Sequence, residues 1–184
     1  MKEIKKRIRG LLLRYIIAIL ISLNSFFIFY LIFTPLTLWP SYALLGIFYT
    51  AAVNGNAILI DGNVFLLNEA CIAGSAYFLL TLLNLTTPNL RFLRRLKIFL
   101  FDASLLLVFN IIRVVSLSCA LMSGFAFFDA MHILIWYVLS VLIVVAIWLL
   151  TIKIFKIRGI PILSDIAFLG KLIRKNKTGK QRIK

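Results

Sequence analysis

Long stretches of Leu, Ile, Val and Phe recur along this chain, and its polar residues collect between them instead of alternating with them. Runs without the polar stripe of a surface helix belong to helices that are apolar on every side. Four such runs, about Leu11 to Phe33, Ala70 to Thr87, Ile98 to Met122 and Ala130 to Ile152, approach the ~20 residues that cross the hydrocarbon of a bilayer. The pattern predicts an all-α integral membrane protein of four transmembrane helices in one domain, residues 1–184. The first run ends at Thr34-Pro35 without a small-residue cleavage pattern, so it is expected to stay attached as an anchor. A fifth stretch, Leu36 to Val53, is nearly long enough to cross, but its Trp39, Pro40, Ser41, Tyr42 and Tyr49 suit an outer interfacial or re-entrant helix. Beyond it, Ala57 to Ile60 and Val64 to Leu67 flank Asp61-Gly62-Asn63, the signal for a short β-hairpin before the second span.

Composition agrees with the pattern: 62% of residues are hydrophobic and mean hydropathy is +1.04, which excludes a water-soluble globular domain. A net charge of +15 changes the picture only through its placement. Six basic residues precede or open the first run (Lys2, Lys5, Lys6, Arg7, Arg9, Arg14), four separate the second and third (Arg91, Arg94, Arg95, Lys97), and ten follow Ile152. The positive-inside rule assigns all three segments, including a basic tail over 153–184, to the cytoplasm. Four crossings satisfy that parity, whereas a fifth through Leu36 to Val53 would break it. Both termini are then cytoplasmic, with the Thr34 to Glu69 and Ser123 to Asp129 loops outside. In the tail, Ser164-Asp165 is a fair N-cap for a short amphipathic stretch, and the run Arg174 to Lys184 suits anionic lipid headgroups better than nucleic acid. No Gly-rich phosphate loop, HExxH, paired CxxC or second histidine is present, so neither a cofactor nor a metal is expected.

Threading four spans brings three distant residues, Cys71, Arg113 and His132, to one depth on the outer side. Cys71 opens the second span and His132 lies in the first turn of the fourth, near helix N-termini that favour a thiolate. Arg113, the one basic residue outside the three clusters, lies six residues below Cys119, or roughly 9 Å. Asn110, Arg113 and Ser116 form a polar stripe at helical spacing, and Asp129 stands three residues before His132, placed to fix its tautomer. Ser75, one turn beyond Cys71, and Trp136 and Ser140, continuing the face of His132, extend these stripes. Polar side chains inside a bundle are unfavourable unless paired or lining a cavity, so converging stripes point to a pocket. Plainer readings stand beside this one. Arg113 could snorkel to headgroups, His132 could be an interfacial histidine, and Asp61 and Glu69 read as solvated loop charges. Cys71 and Cys119, the only cysteines, could form a structural disulfide.

The order Glu69-Ala70-Cys71-Ile72-Ala73-Gly74, then Asn110-Ile111-Ile112-Arg113, then Asp129-Ala130-Met131-His132 resembles the exosortase/archaeosortase family, over about Asn56 to Ile152. The compactness is similar to the small archaeal branch called pacearchaeosortase. The resemblance implies a membrane-embedded cysteine protease or transpeptidase that cleaves membrane-anchored protein substrates at a C-terminal sorting signal. Cys71 would be the nucleophile and Arg113 and His132 the rest of a triad, with Asn110 and Asp129 in support. Two departures stand out. Family members commonly carry glycine two positions after the cysteine, where this chain has Ala73 followed by Gly74, and they are longer with more spans.

The residue types fit such chemistry. A thiolate is the nucleophile, a histidine moves the proton to the departing amine, and a permanently charged guanidinium can stabilise a thiolate or oxyanion. The rival class is a non-enzymatic small membrane protein, a transporter subunit or scaffold, with a Cys71–Cys119 disulfide. A disulfide oxidoreductase has less support, because the paired cysteines usual for exchange are missing.

Overall fold

The computed structural model describes residues 2–23, 27–88, 90–124 and 126–157; the side chain of Asp129 and the tail from 158, with the expected stretch at Ser164-Asp165 and the basic arm, lie outside the described residues. The chain is mostly helical: α1 (Lys2–Leu23), α2 (Phe27–Leu45), α3 (Glu69–Ile72), α4 (Gly74–Thr86), α5 (Phe92–Met122), α6 (Phe128–Leu134) and α7 (Ser140–Ile154), the last two joined through a π-helical stretch, Ile135–Leu139. Three helices, Phe27–Leu45, Phe92–Met122 and His132–Ile154, are long and apolar enough to cross a membrane. The last has mean hydropathy 2.9 with only 18% of that window buried inside the protein. Leu142, Val145 and Leu149 thus face outward, which is favourable in lipid and unfavourable in water. The chain is a membrane-embedded protein.

Several boundaries differ from the expected ones. The run Leu11 to Phe33 falls on two described helices, α1 ending at Leu23 and α2 starting at Phe27, with residues 24–26 outside the described set. Helix α2 continues through Pro35 and Pro40 to Leu45, so Thr34-Pro35 is no terminus. Proline is tolerated inside membrane helices because neighbouring helices and Ser/Thr side chains compensate the freed backbone groups. The expected interfacial or re-entrant helix over Leu36 to Val53 is therefore replaced by the second half of α2, a turn and a strand. The second expected span is interrupted at Ala73, which leaves α4 with 13 residues, ~20 Å against a hydrocarbon thickness of ~30 Å.

The hairpin is part of a three-stranded antiparallel sheet in the order β1 (Ala51–Asn54), β2 (Ala57–Ile60), β3 (Asn63–Leu66). Ile60 pairs with Asn63 across Asp61-Gly62, and both turn residues have positive φ (46° and 85°), as a type I′ turn requires. Asp61 Oδ1 also accepts from the Thr50 amide at 3.1 Å. The first hairpin turns at Gly55, φ 59°, with Asn54 paired to Ala57. Ile58 and Ile60 are fully buried and join Leu45 of α2 in the core, which seats the sheet on one end of the bundle. Asn63 Nδ2 reaches Met122 Sδ at 3.6 Å, tying the sheet to the end of α5.

Basic residues gather at the other end. Arg95 donates to the carbonyls of Asn84, Leu85 (3.1 Å) and Thr87 (2.6 Å), Arg14 reaches Leu85 O at 3.3 Å, and Arg94 reaches Phe155 O. Carbonyls at the end of α4, where helical donors run out, thereby gain side-chain donors. In the middle of the bundle Phe33 stacks on Tyr77 at 3.6 Å, and Thr151 donates to the buried Asp102.

Candidate active site

The segment holding Cys71 is folded by its own sequence. Asn68 caps the one-turn helix α3, its Oδ1 accepting the Cys71 amide at 3.1 Å. Ala73 then adopts a left-handed conformation (φ 59°, ψ 37°) that ends α3 and restarts the chain as α4. Gly74 is needed immediately after it, because a Cβ there would lie 2.6 Å from the Tyr30 ring. A four-residue helix carries little of the dipole expected from a span opening at Cys71. The half-buried position of Cys71 instead owes its definition to groups from α5.

Breaking the helix leaves the carbonyls of Ala70 and Cys71 to be satisfied from elsewhere, and the Asn110–Arg113 pair supplies the donors. Arg113 Nη2 donates to Ala70 O at 2.8 Å and Cys71 O at 3.0 Å. Asn110 Nδ2 donates to Cys71 O at 2.8 Å and reaches Thr37 Oγ1 at 3.4 Å. The three-residue spacing thus places both side chains on the α3-facing side of α5. Arg113 does not snorkel; its Nη1 donates to Ser140 Oγ at 3.2 Å, and Ser140 in turn donates to Ile135 O at 3.1 Å within the π-helical stretch. Ser116, the expected continuation of the stripe, is exposed, and so is Ser75.

His132 lies on α6, exposed, with its ring 5.7 Å from Phe128. The expected bond from Asp129 to His132 lies outside the described residues. One cavity of about 280 Å³ brings the three sequence-derived residues together: Cys71, Arg113 and His132 all line it, with Asn68 and strand β3. A second cavity of about 630 Å³ shares Arg113 and Ala70 in its wall and extends along α4 and α7 past Ser75, Tyr137 and Ser140. Cys71 and Cys119 are both free thiols, so the disulfide weighed above is not formed; Cys119 neighbours the Tyr49 hydroxyl instead. Among the described residues no three His, Cys, Asp or Glu gather as a metal site would need.

Asn68 and Thr37 were not singled out from sequence as parts of the site, whereas Ser140, expected on the face of His132, meets Arg113. Only Asn68 carried a local signal, an N-cap residue directly before Glu69-Ala70-Cys71. Chemically, the arrangement offers a half-buried thiol on a clamped backbone, a histidine across the cavity and a guanidinium between two cavities. No family model matches the sequence, and neither the curated proteins nor the solved structures contain a match to it.

Proposed function

We propose that this chain is a membrane-embedded cysteine peptidase or transpeptidase acting on the C-terminal sorting signal of membrane-anchored proteins. The observation that carries the reading is the shared cavity, in which Cys71, Arg113 and His132 converge from three separate elements. Support also comes from Ala73, whose left-handed backbone occupies the position where the exosortase/archaeosortase pattern has glycine, the residue best suited to it. Four crossings are proposed, by α2, by α3 with α4, by α5, and by α6 through α7, with α1 lying along the cytoplasmic surface. The gathering of Arg14, Arg94 and Arg95 at the end opposite the sheet favours cytoplasmic termini and an outer site.

In the proposed reaction the Cys71 thiolate attacks the carbonyl carbon of the scissile peptide, and His132 holds the thiol proton. The tetrahedral intermediate collapses to a thioester as that proton passes to the departing amine, which leaves with the C-terminal anchor. Water then gives proteolysis, and an amine on a lipid or surface molecule gives transfer. Arg113 and Asn110 hold the Cys71 backbone so that the thiol keeps its aim. The two free thiols support this reading over a non-enzymatic membrane protein built on a Cys71–Cys119 disulfide.

The test is anchor release from co-expressed candidate substrates, with membrane insertion of every variant checked. Cys71→Ala is expected to abolish it, Cys71→Ser to leave little, and Cys119→Ala to retain it. Full processing by Cys71→Ala would end the cysteine-enzyme reading.

A further inference from the structure

The sheet has one open edge beside the cavity. In the order β1-β2-β3, strand β3 pairs on one side only among the described residues. The register Ile60↔Asn63, Ile58↔Phe65, with the Leu67 amide on Asn56 O, turns the amides of residues 63, 65 and 67 toward β2. Antiparallel alternation then turns Val64 N–H, Val64 C=O and Leu66 N–H outward; Leu66 O is taken by the Asn68 amide at 3.1 Å. Successive side chains of a strand alternate between its faces, so a cavity against one face would touch every second residue. This cavity touches Val64, Phe65, Leu66 and Leu67 in succession, as well as Cys71, and so meets the strand edge-on.

We propose that the open edge of β3 is a docking strand for an extended peptide, which pairs with Val64 and Leu66 through its backbone and thereby delivers one carbonyl to Cys71. The inference rests on the peptidase reading for its occupant. Main-chain pairing of this kind binds any extended peptide and leaves sequence choice to flanking pockets. Its donors and acceptor are neutral and alternate along the strand, which matches a peptide backbone and not a phosphate headgroup. Val64 and Leu66 are each 66% exposed, leaving that edge accessible.

The probe is an acetyl-tetraalanyl chloromethyl ketone, in which a thiolate displaces chloride to form a thioether. It is compared on the full chain in detergent with the same reagent N-methylated at alternate amides, and with iodoacetamide. The unmethylated peptide is expected to alkylate Cys71 about tenfold faster than the methylated one, the effect of one or two net backbone hydrogen bonds. Val64→Pro removes an outward amide without touching a β2 bond and should abolish that preference at an unchanged iodoacetamide rate, whereas Val64→Ala should retain it. Equal rates for the two peptides on the wild-type chain would overturn the proposal. In Cys71→Ala, a diazirine-bearing tetraalanine keeps docking testable where the thiol does not react or no substrate is processed. Crosslinks at residues 63–67 support the docking strand even if the peptidase reading fails, and crosslinks confined to lipid-facing helices sink it. A diazirine side chain placed at position 64 of the chain itself that joins two copies would assign the edge to a second copy of this chain, and would overturn the peptide.

Discussion

Replacing Ala73 with glycine should stabilise this protein, against the usual direction of that substitution. Within a helix, Ala→Gly destabilises by roughly 0.5–1 kcal/mol, because glycine has more conformational freedom to lose. At Ala73 the backbone sits at φ 59°, ψ 37°, a conformation that costs an L-residue about 1–2 kcal/mol. Glycine removes that cost but gives back about 0.4–1 kcal/mol through the unfolded chain. The balance is a gain on the order of 0.5–1 kcal/mol. The assay is reversible unfolding in mixed detergent micelles, with Ala43→Gly, exposed within α2, as the control expected to lose ~0.5–1 kcal/mol. Should Ala73→Gly lose stability as the control does, residue 73 would be helical and α3 would run unbroken into α4. The carbonyls of Ala70 and Cys71 would then be consumed within the helix, and the clamp by Asn110 and Arg113 could not exist.

Arg113→Lys keeps the charge but cannot reproduce bonds to Ala70 O, Cys71 O and Ser140 Oγ from one ammonium. A loss of about 1.5–3 kcal/mol is expected in the same unfolding assay, the range for a hydrogen bond to a charged group. A loss no larger than that of a surface Lys substitution would refute it. For anchor release, His132→Ala should cost ~10²- to 10⁴-fold, the range for general acid–base groups, with Cys71 still alkylated by iodoacetamide; unchanged release would remove His132 from the chemistry. A reporter inserted at Gly62, in the turn of the second hairpin, should read as external, and a cytoplasmic signal would overturn the proposed topology.

Most of the long helices were legible because lipid demands uniformly apolar surfaces, and α5 and α7 fall where the runs of Leu, Ile and Val lie. The Asp61-Gly62 turn was equally legible, since few residues adopt two successive positive φ angles. Pro35 misled in the opposite way: it reads as a stop in water, yet α2 passes through it. The expected helix over Leu36 to Val53 also covered most of β1, and so concealed that strand and the turn at Asn54-Gly55 just beyond it. The break at Ala73 left no local mark, because alanine seldom adopts a left-handed conformation. Convergence of Cys71, Arg113 and His132 followed from their depth in the expected spans. The partners of Arg113 did not, because backbone carbonyls acquire no signature in the sequence when a distant helix breaks.

The π-helical stretch between α6 and α7 acts as a phase corrector. His132 and Ser140 are eight residues apart, which in an uninterrupted α-helix, at about 100° per residue, leaves them ~80° out of register. A π-bulge absorbs about one residue, so the separation counts as roughly seven steps, within ~20° of two full turns. One helix can therefore turn His132 toward the first cavity and Ser140 toward Arg113. Deleting a single residue between Ile135 and Leu139 would restore regular hydrogen bonding and leave the apolar length almost unchanged. Seen from the site, everything beyond the deletion would instead keep its azimuth while the bulge, and the Ile135 carbonyl that holds the Ser140 hydroxyl, disappeared. Deleting a residue from the regular turns of α7 beyond Ser140 would do the reverse, sparing the site and rotating the lipid-facing surface. The two deletions, matched in length and hydropathy, would differ in what they disturb: the first the Ile135–Ser140–Arg113 contacts, the second the packing beyond Ser140, including the Thr151 bond to Asp102.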